Sequence, residues 1–203
     1  GVLVPTVALA AQDHKDVISG PFTTGQEVTE ACVGCHEQQA KDFMGTVHWN
    51  WLEPQEAKGK GSVKIGKANL INNFCIALPA NWPRCTSCHA GYGWKDHSFA
   101  FDDPANIDCL VCHDTTGSYA KSPAGAGNPE PKVDLLRVAQ NVGKPDRRAC
   151  GSCHFFGGGG DHVKHGDLDS SLLKPTRQMD VHMAASGPNM TCQDCHKTKE
   201  HKI

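Results

Sequence analysis

The chain has 203 residues and a formal charge of -2, with a mean hydropathy of -0.44 and no long block of either charge, which excludes a membrane-spanning protein, a coiled coil and a nucleic-acid-binding surface. Only 38% of its residues are hydrophobic, and 21 Gly and 12 Pro outnumber 4 Trp, 2 Tyr and 7 Phe, too few large side chains for an ordinary core. Against that stand 11 Cys and 12 His, residue types that bind metals and cofactors, so something other than side chains is expected to fill the interior.

In chain order, residues 1–12 look like the end of a secretory segment, with an Ala8-Leu9-Ala10 cleavage site but no charged start. They suit export to the periplasm or the cell exterior, or else form an apolar arm held against a partner surface. Residues 13–203 then make one domain. Gly59 to Ala68 contains Gly-x4-Gly-Lys, but Ala68 stands where a phosphate loop needs Ser or Thr, so a basic hairpin or loop is expected. Cys75 is the one cysteine outside the motifs described below, either a buried thiol or a sulfur group facing a cofactor. The Pro-, Gly- and Ala-rich stretch 122–131 reads as a linker. Val133 to Val142 reads as a short amphipathic helix ending before Gly143 and Pro145. Gly157 to Gly160 would let backbone lie close to a flat cofactor or else form a loose loop. Asp167 and Asp169 are too few for a calcium site.

Five times the chain writes Cys-x-x-Cys-His: Cys32, Cys35 and His36; Cys85, Cys88 and His89; Cys109, Cys112 and His113; Cys150, Cys153 and His154; Cys192, Cys195 and His196. Chance placement at this composition gives roughly 0.03 such units. Each reads as a haem c attachment site: the two thiols form thioethers to the porphyrin vinyl groups, and the following histidine supplies the proximal imidazole. Structural zinc needs two cysteine pairs per ion, a disulfide framework leaves five adjacent histidines unexplained, and a thioredoxin-like motif occurs once. Five haems in this length leave about 41 residues for each, so the haems must pack against one another. The expected fold is therefore mostly irregular, with short α-helices and little or no β, a multihaem cytochrome c wrapped around a closely packed haem chain.

Seven histidines lie outside the motifs: His14, His48, His97, His162, His165, His182 and His201. They suffice to close all five irons with a second imidazole, which suits outer-sphere electron transfer. His48, His97 and His182 are the first expectations. His162 and His165 sit three apart, so that one ligates while the other meets a propionate or a second iron. His14 and His201, near the two ends, either fray or ligate a haem of an adjacent copy. Met44, Met179, Met183 and Met190 are weaker alternatives.

The stretch from Asn73 to His201 resembles the octahaem tetrathionate reductase family of multihaem cytochromes c. Asn81-Trp82-Pro83-Arg84 before motif two, Gly91-Tyr92-Gly93-Trp94-Lys95 after it, Asp108 before motif three, the Phe-Phe and four glycines after motif four, and Met190-Thr191 before motif five carry that resemblance. It implies one haem with a lysine in place of the proximal histidine and an open distal face, where sulfur and nitrogen oxyanions are reduced. Lys95, six residues after His89, is the position assigned to that lysine, with Arg84 or Cys75 lining the site. The sequence has five motifs, not eight, and stops seven residues after His196, so the resemblance speaks more for haem arrangement than for activity. The expected function is electron transfer to and from redox partner proteins, with copies of itself in an extracellular filament as one version and oxyanion reduction at haem two as the alternative.

Overall fold

The computed structural model describes residues 13–71, 76–155, 160–161 and 168–202. The arm 1–12, Cys75, His162, His165, Gly157 and Asp167 lie outside them. Helices α1 (His14–Val17), α2 (Gly25–Met44) and α3 (Val47–Asn50) lead into strands β1 (Glu53–Ala57) and β2 (Gly61–Ile65). The short helices α4 (Trp82–Cys85), α5 (Leu110–His113), α6 (Leu135–Ala139), α7 (Arg147–His154) and α8 (Cys192–Cys195) follow. Turns, loops and 3₁₀ segments make up the rest. Among the described residues, β1 and β2 form a two-stranded antiparallel hairpin pairing Glu53 with Ile65, the basic hairpin expected around Gly59 to Ala68. No helix there is long and apolar enough to cross a membrane.

Helix starts follow from local chemistry. Thr24 and Glu27 form a capping box at α2, satisfying backbone N–H groups that the first turn leaves unpaired. Thr46, Asp134 and Asp146 cap α3, α6 and α7 by accepting from Trp49, Arg137 and Ala149. The 20-residue α2 is longer than any helix expected from the sequence, and its helical geometry breaks at His36. The helix expected over 133–142 is shorter, because Asp134 caps it and Gln140 ends it.

The expected linker at 122–131 is instead a pinned turn. Ser122 N–H donates to the Asn128 carbonyl, Ala126 N–H to that of Pro83, and the Ala126 carbonyl accepts from Gly93 and Trp94. Gly127 takes a φ of +89°, and a Cβ there would stand 2.0 Å from the Gly91 oxygen. The turn thus fastens the segment after motif two. The side-chain core is small and divided: one cluster around Val28, Leu110, Leu135 and Val138, a second around Ala40, Trp49 and Ile107, and a third around Trp51, Leu78 and Trp94.

Candidate functional site

Motif one lies on α2, motif two at α4 and the turn after it, motif three at α5, motif four on α7 and motif five on α8. All five open onto one cavity of about 2060 Å³, about twice the upper end for a small-molecule pocket. Nine of the ten motif cysteines line it, and Cys35 is exposed. Thiols of different motifs lie close enough there to influence one another electrostatically: Cys32 and Cys109, Cys88 and Cys153, and Cys150 and Cys192. Helix α5 also packs on α7. Motif one is therefore beside three, three beside four, and four beside both two and five.

Four motif histidines, His36, His113, His154 and His196, line the cavity, together with His14, His48 and His201. Three ring pairs form: His14 with His36 at 6.1 Å between centroids, His48 with His154 at 6.1 Å, and His113 with His201 at 6.4 Å. A metal held by two imidazole nitrogens at about 2 Å each leaves the ring centres about 6 Å apart. Both terminal histidines thus face motif histidines of their own chain. His113 Nδ1 lies 2.8 Å from the Gly143 carbonyl, the backbone contact that fixes an imidazole with its other nitrogen free to ligate. Burial first, then His154, lowers the pKa of His48, and burial and His113 lower that of His201. Low basicity favours the neutral, ligating form. The ring spacing, the cysteine-lined wall and the cavity volume all fit haem c.

Motif two is built differently. After α4 the chain tightens into a 3₁₀ turn at Thr86–Cys88 and leaves His89 extended, with φ -69° and ψ 136°. In motifs three and four the histidine is still the last residue of the helix. Thr86 Oγ1 lies 2.6 Å from the carbonyls of both Trp82 and Trp94, holding that turn. His89 is consequently absent from the cavity wall and fully buried, packed against Trp49, Trp51, Trp94, Phe99 and Phe101. Gly91 makes room for it, since a Cβ there would meet the His89 and Trp49 rings at 2.8 Å. Burial drives the His89 pKa down to about 3, so the ring is neutral. Its Nε2 is 2.7 Å from the Trp49 carbonyl and its Nδ1 has no hydrogen-bond partner. A nitrogen that would ligate is thereby tied to backbone.

The lysines that reach motif two are Lys67, which donates to the Cys85 carbonyl at 3.4 Å, and the buried Lys121, whereas Lys95 lies elsewhere. Lys121 meets His89 itself. Its Nζ hydrogen-bonds the His89 carbonyl and lies 3.0 Å from Asp108 Oδ2, with the two side chains 9% and 0% exposed. Lys95 lines a separate small pocket with Gln26, Asp96 and Ser98, because the chain after Gly93 turns away from the cavity. No spacing in the sequence marks Lys121, which is 32 residues beyond His89 and adjacent to it only through the turn at 122–131.

Two other expected ligands are not on the wall. His97 sets its ring against Trp82 at 5.0 Å, and the His182 side chain is 67% exposed beside Asp180. Arg84 does line the cavity and donates to Ser87 Oγ at 3.0 Å and to the Pro123 carbonyl at 3.2 Å. Met183 lines it as well.

A cysteine-lined cavity with imidazoles paired across metal-sized gaps defines a c-type cytochrome with several haems. Residues 31–114 match the family model for cytochrome c554 and c-prime. The whole fold is similar to the octahaem cytochrome c from Shewanella oneidensis, with 57% identity and a TM-score of 0.87 over 95% of this chain and 43% of that one. An uncharacterised protein of Archaeoglobus fulgidus is 23% identical over 94% of this chain and 80% of its own length. The chain is a multihaem cytochrome c. Its mostly irregular architecture, with short helices and one small hairpin, is the architecture expected of that class. It spans less than half the length of the octahaem protein it matches.

Proposed function

We propose that the chain binds five haem c groups, one per motif, in its common cavity and conducts electrons among them to a reactive site at motif two. The observation that carries this reading is the contrast between three imidazole pairs at 6.1 to 6.4 Å and a motif-two histidine withdrawn into an aromatic cage. Haem c supplies an iron that takes up and gives back one electron at a time. His14 with His36, His48 with His154, and His113 with His201 would each hold one haem iron between two imidazoles, which suits electron transfer rather than substrate binding. Lys121, whose amine meets the His89 carbonyl, would hold the iron of motif two in place of His89, and that haem would supply the site at which substrate is reduced.

Lys67 and Arg84 line that cavity beside Cys85, two cations suited to an anion. With the resemblance noted above, this favours a small sulfur or nitrogen oxyanion, such as tetrathionate or nitrite, as substrate. Tetrathionate would take two electrons and part at its central S–S bond into two thiosulfates. The reading includes export to the periplasm or beyond and reduction by a redox partner protein. A filament joined through His14 or His201 has less support, since each faces a histidine of its own chain.

Haem content per chain, measured beside turnover of nitrite and tetrathionate under a strong reductant, tests the reading. It expects five haems and an activity lost in the Lys121→Ala variant. Five haems with no turnover of any such anion would leave electron transfer alone.

A further inference from the structure

Behind motif two lies a buried polar cluster that ligation by itself does not require. Asp108 is 2% exposed and its carboxylate accepts on both oxygens. Tyr92 Oη at 2.9 Å and Val111 N–H at 3.0 Å donate to Oδ1; Tyr119 Oη at 2.8 Å and Lys121 Nζ at 3.0 Å donate to Oδ2. We propose that Asp108 is the positioning residue that aims the Lys121 amine at the iron of motif two and sets its strength as a donor. The inference rests on the reading of Lys121 as that iron's ligand.

The geometry supplies the reason. A metal-bound amine keeps two N–H bonds and one committed lone pair. Two acceptors stand at Lys121 Nζ, the His89 carbonyl and Asp108 Oδ2, one for each N–H. The lone pair is left for a third direction. A carboxylate accepting from a metal-bound nitrogen makes that nitrogen a stronger donor, as outer-shell carboxylates do for ligating histidines. A stronger donor favours ferric iron and lowers its potential.

Asp108 cannot drift, because its four donors account for the roughly four acceptor sites of a carboxylate and its own N–H donates to the Ala90 carbonyl at 3.0 Å. That bond ties it to the segment directly after His89. Asp108 also directly precedes Cys109, so the same residue joins the ligand of motif two to the attachment of motif three.

The test is a redox titration of the haem-loaded protein followed by optical spectra and EPR, with haem content measured in every sample. Asp108→Asn keeps the shape and removes the charge. With haem content unchanged, the motif-two signal should shift to higher potential while the bis-imidazole signals stay in place, and nitrite turnover should fall by about 10–100-fold. Tyr119→Phe removes a competing donor from Oδ2, the oxygen that accepts from Lys121, and should give a smaller shift in the opposite direction, to lower potential. It decides the matter if Asp108→Asn fails to load haem. A motif-two signal at its wild-type potential in Asp108→Asn, or in Tyr119→Phe where that variant must decide, overturns the inference. If Lys121→Ala also leaves the motif-two signal unchanged, the ligand assignment itself has failed. If Lys121→Ala alone changes it, only the role of Asp108 has.

Discussion

His89 shows how burial decides a residue's chemistry. The unfolded chain protonates this ring near its ordinary value of 6.5, whereas the folded chain refuses the proton until about pH 3. Between those values the unfolded state binds more protons, so stability falls on acidification, by up to about 1.4 kcal/mol per pH unit from this group. Replacing His89 by Phe should remove that part of the slope. Urea unfolding of the haem-loaded protein at pH 7 and pH 4.5 checks it; an equal loss of stability in wild type and variant would refute the idea. Nine motif cysteines and four of the five motif histidines line the cavity, and the five repeats marked them in the sequence. The exception at motif two was not legible, because it depends on a 3₁₀ turn and on Trp49, Trp94, Phe99 and Phe101, which come together only in the fold. Lys121 was hidden for the same reason, and His97, expected as a ligand from its residue type, sets its ring against Trp82.

Among the elements, α7 connects the motifs: it carries motif four, meets α5, and sets Cys150 and Cys153 near motifs five and two. Its start depends on Asp146, whose carboxylate accepts from Ala149 N–H at 2.8 Å. Asp146→Ala should cost about 1 kcal/mol and lower the thermal midpoint without loss of haem. An unchanged midpoint would mean that the haem attachments alone hold the helix. Arg147 follows and binds the 173–190 loop through the carbonyls of Leu173, Met183 and Met190. Arg147→Ala should therefore raise proteolysis within that loop, and a cleavage pattern like wild type would count against the role. The capping box at Thr24 and Glu27 was present in the sequence as a start signal for α2. The helix was still missed, because its apolar face meets a cavity more than a side-chain core and its periodicity is weak. The segment 122–131 misled for the opposite reason: composition does not separate a linker from a turn whose backbone is pinned to Gly93 and Trp94.

For the whole molecule, three small apolar clusters surround a cavity of about 2060 Å³, so the interior is completed by what the cysteines attach. A chain made without haem should lack cooperative thermal unfolding, since too little apolar surface is buried to offset the chain entropy. Circular dichroism of protein produced without haem attachment would check this, and a sharp unfolding transition would contradict it. Composition and motif count made this legible from the start; the order of motifs in space, with one beside three and four beside two and five, needed the fold.

The most direct test of the central claim is low-temperature EPR of the fully oxidised protein, recorded alone, with nitrite added, and in the Lys121→Ala variant. Low-spin signals that ignore nitrite are expected from the three irons paired with two imidazoles, together with a signal from motif two, about one iron in five, that responds to nitrite and is altered in Lys121→Ala. Five bis-imidazole irons, all indifferent to nitrite and to the loss of Lys121, would contradict it.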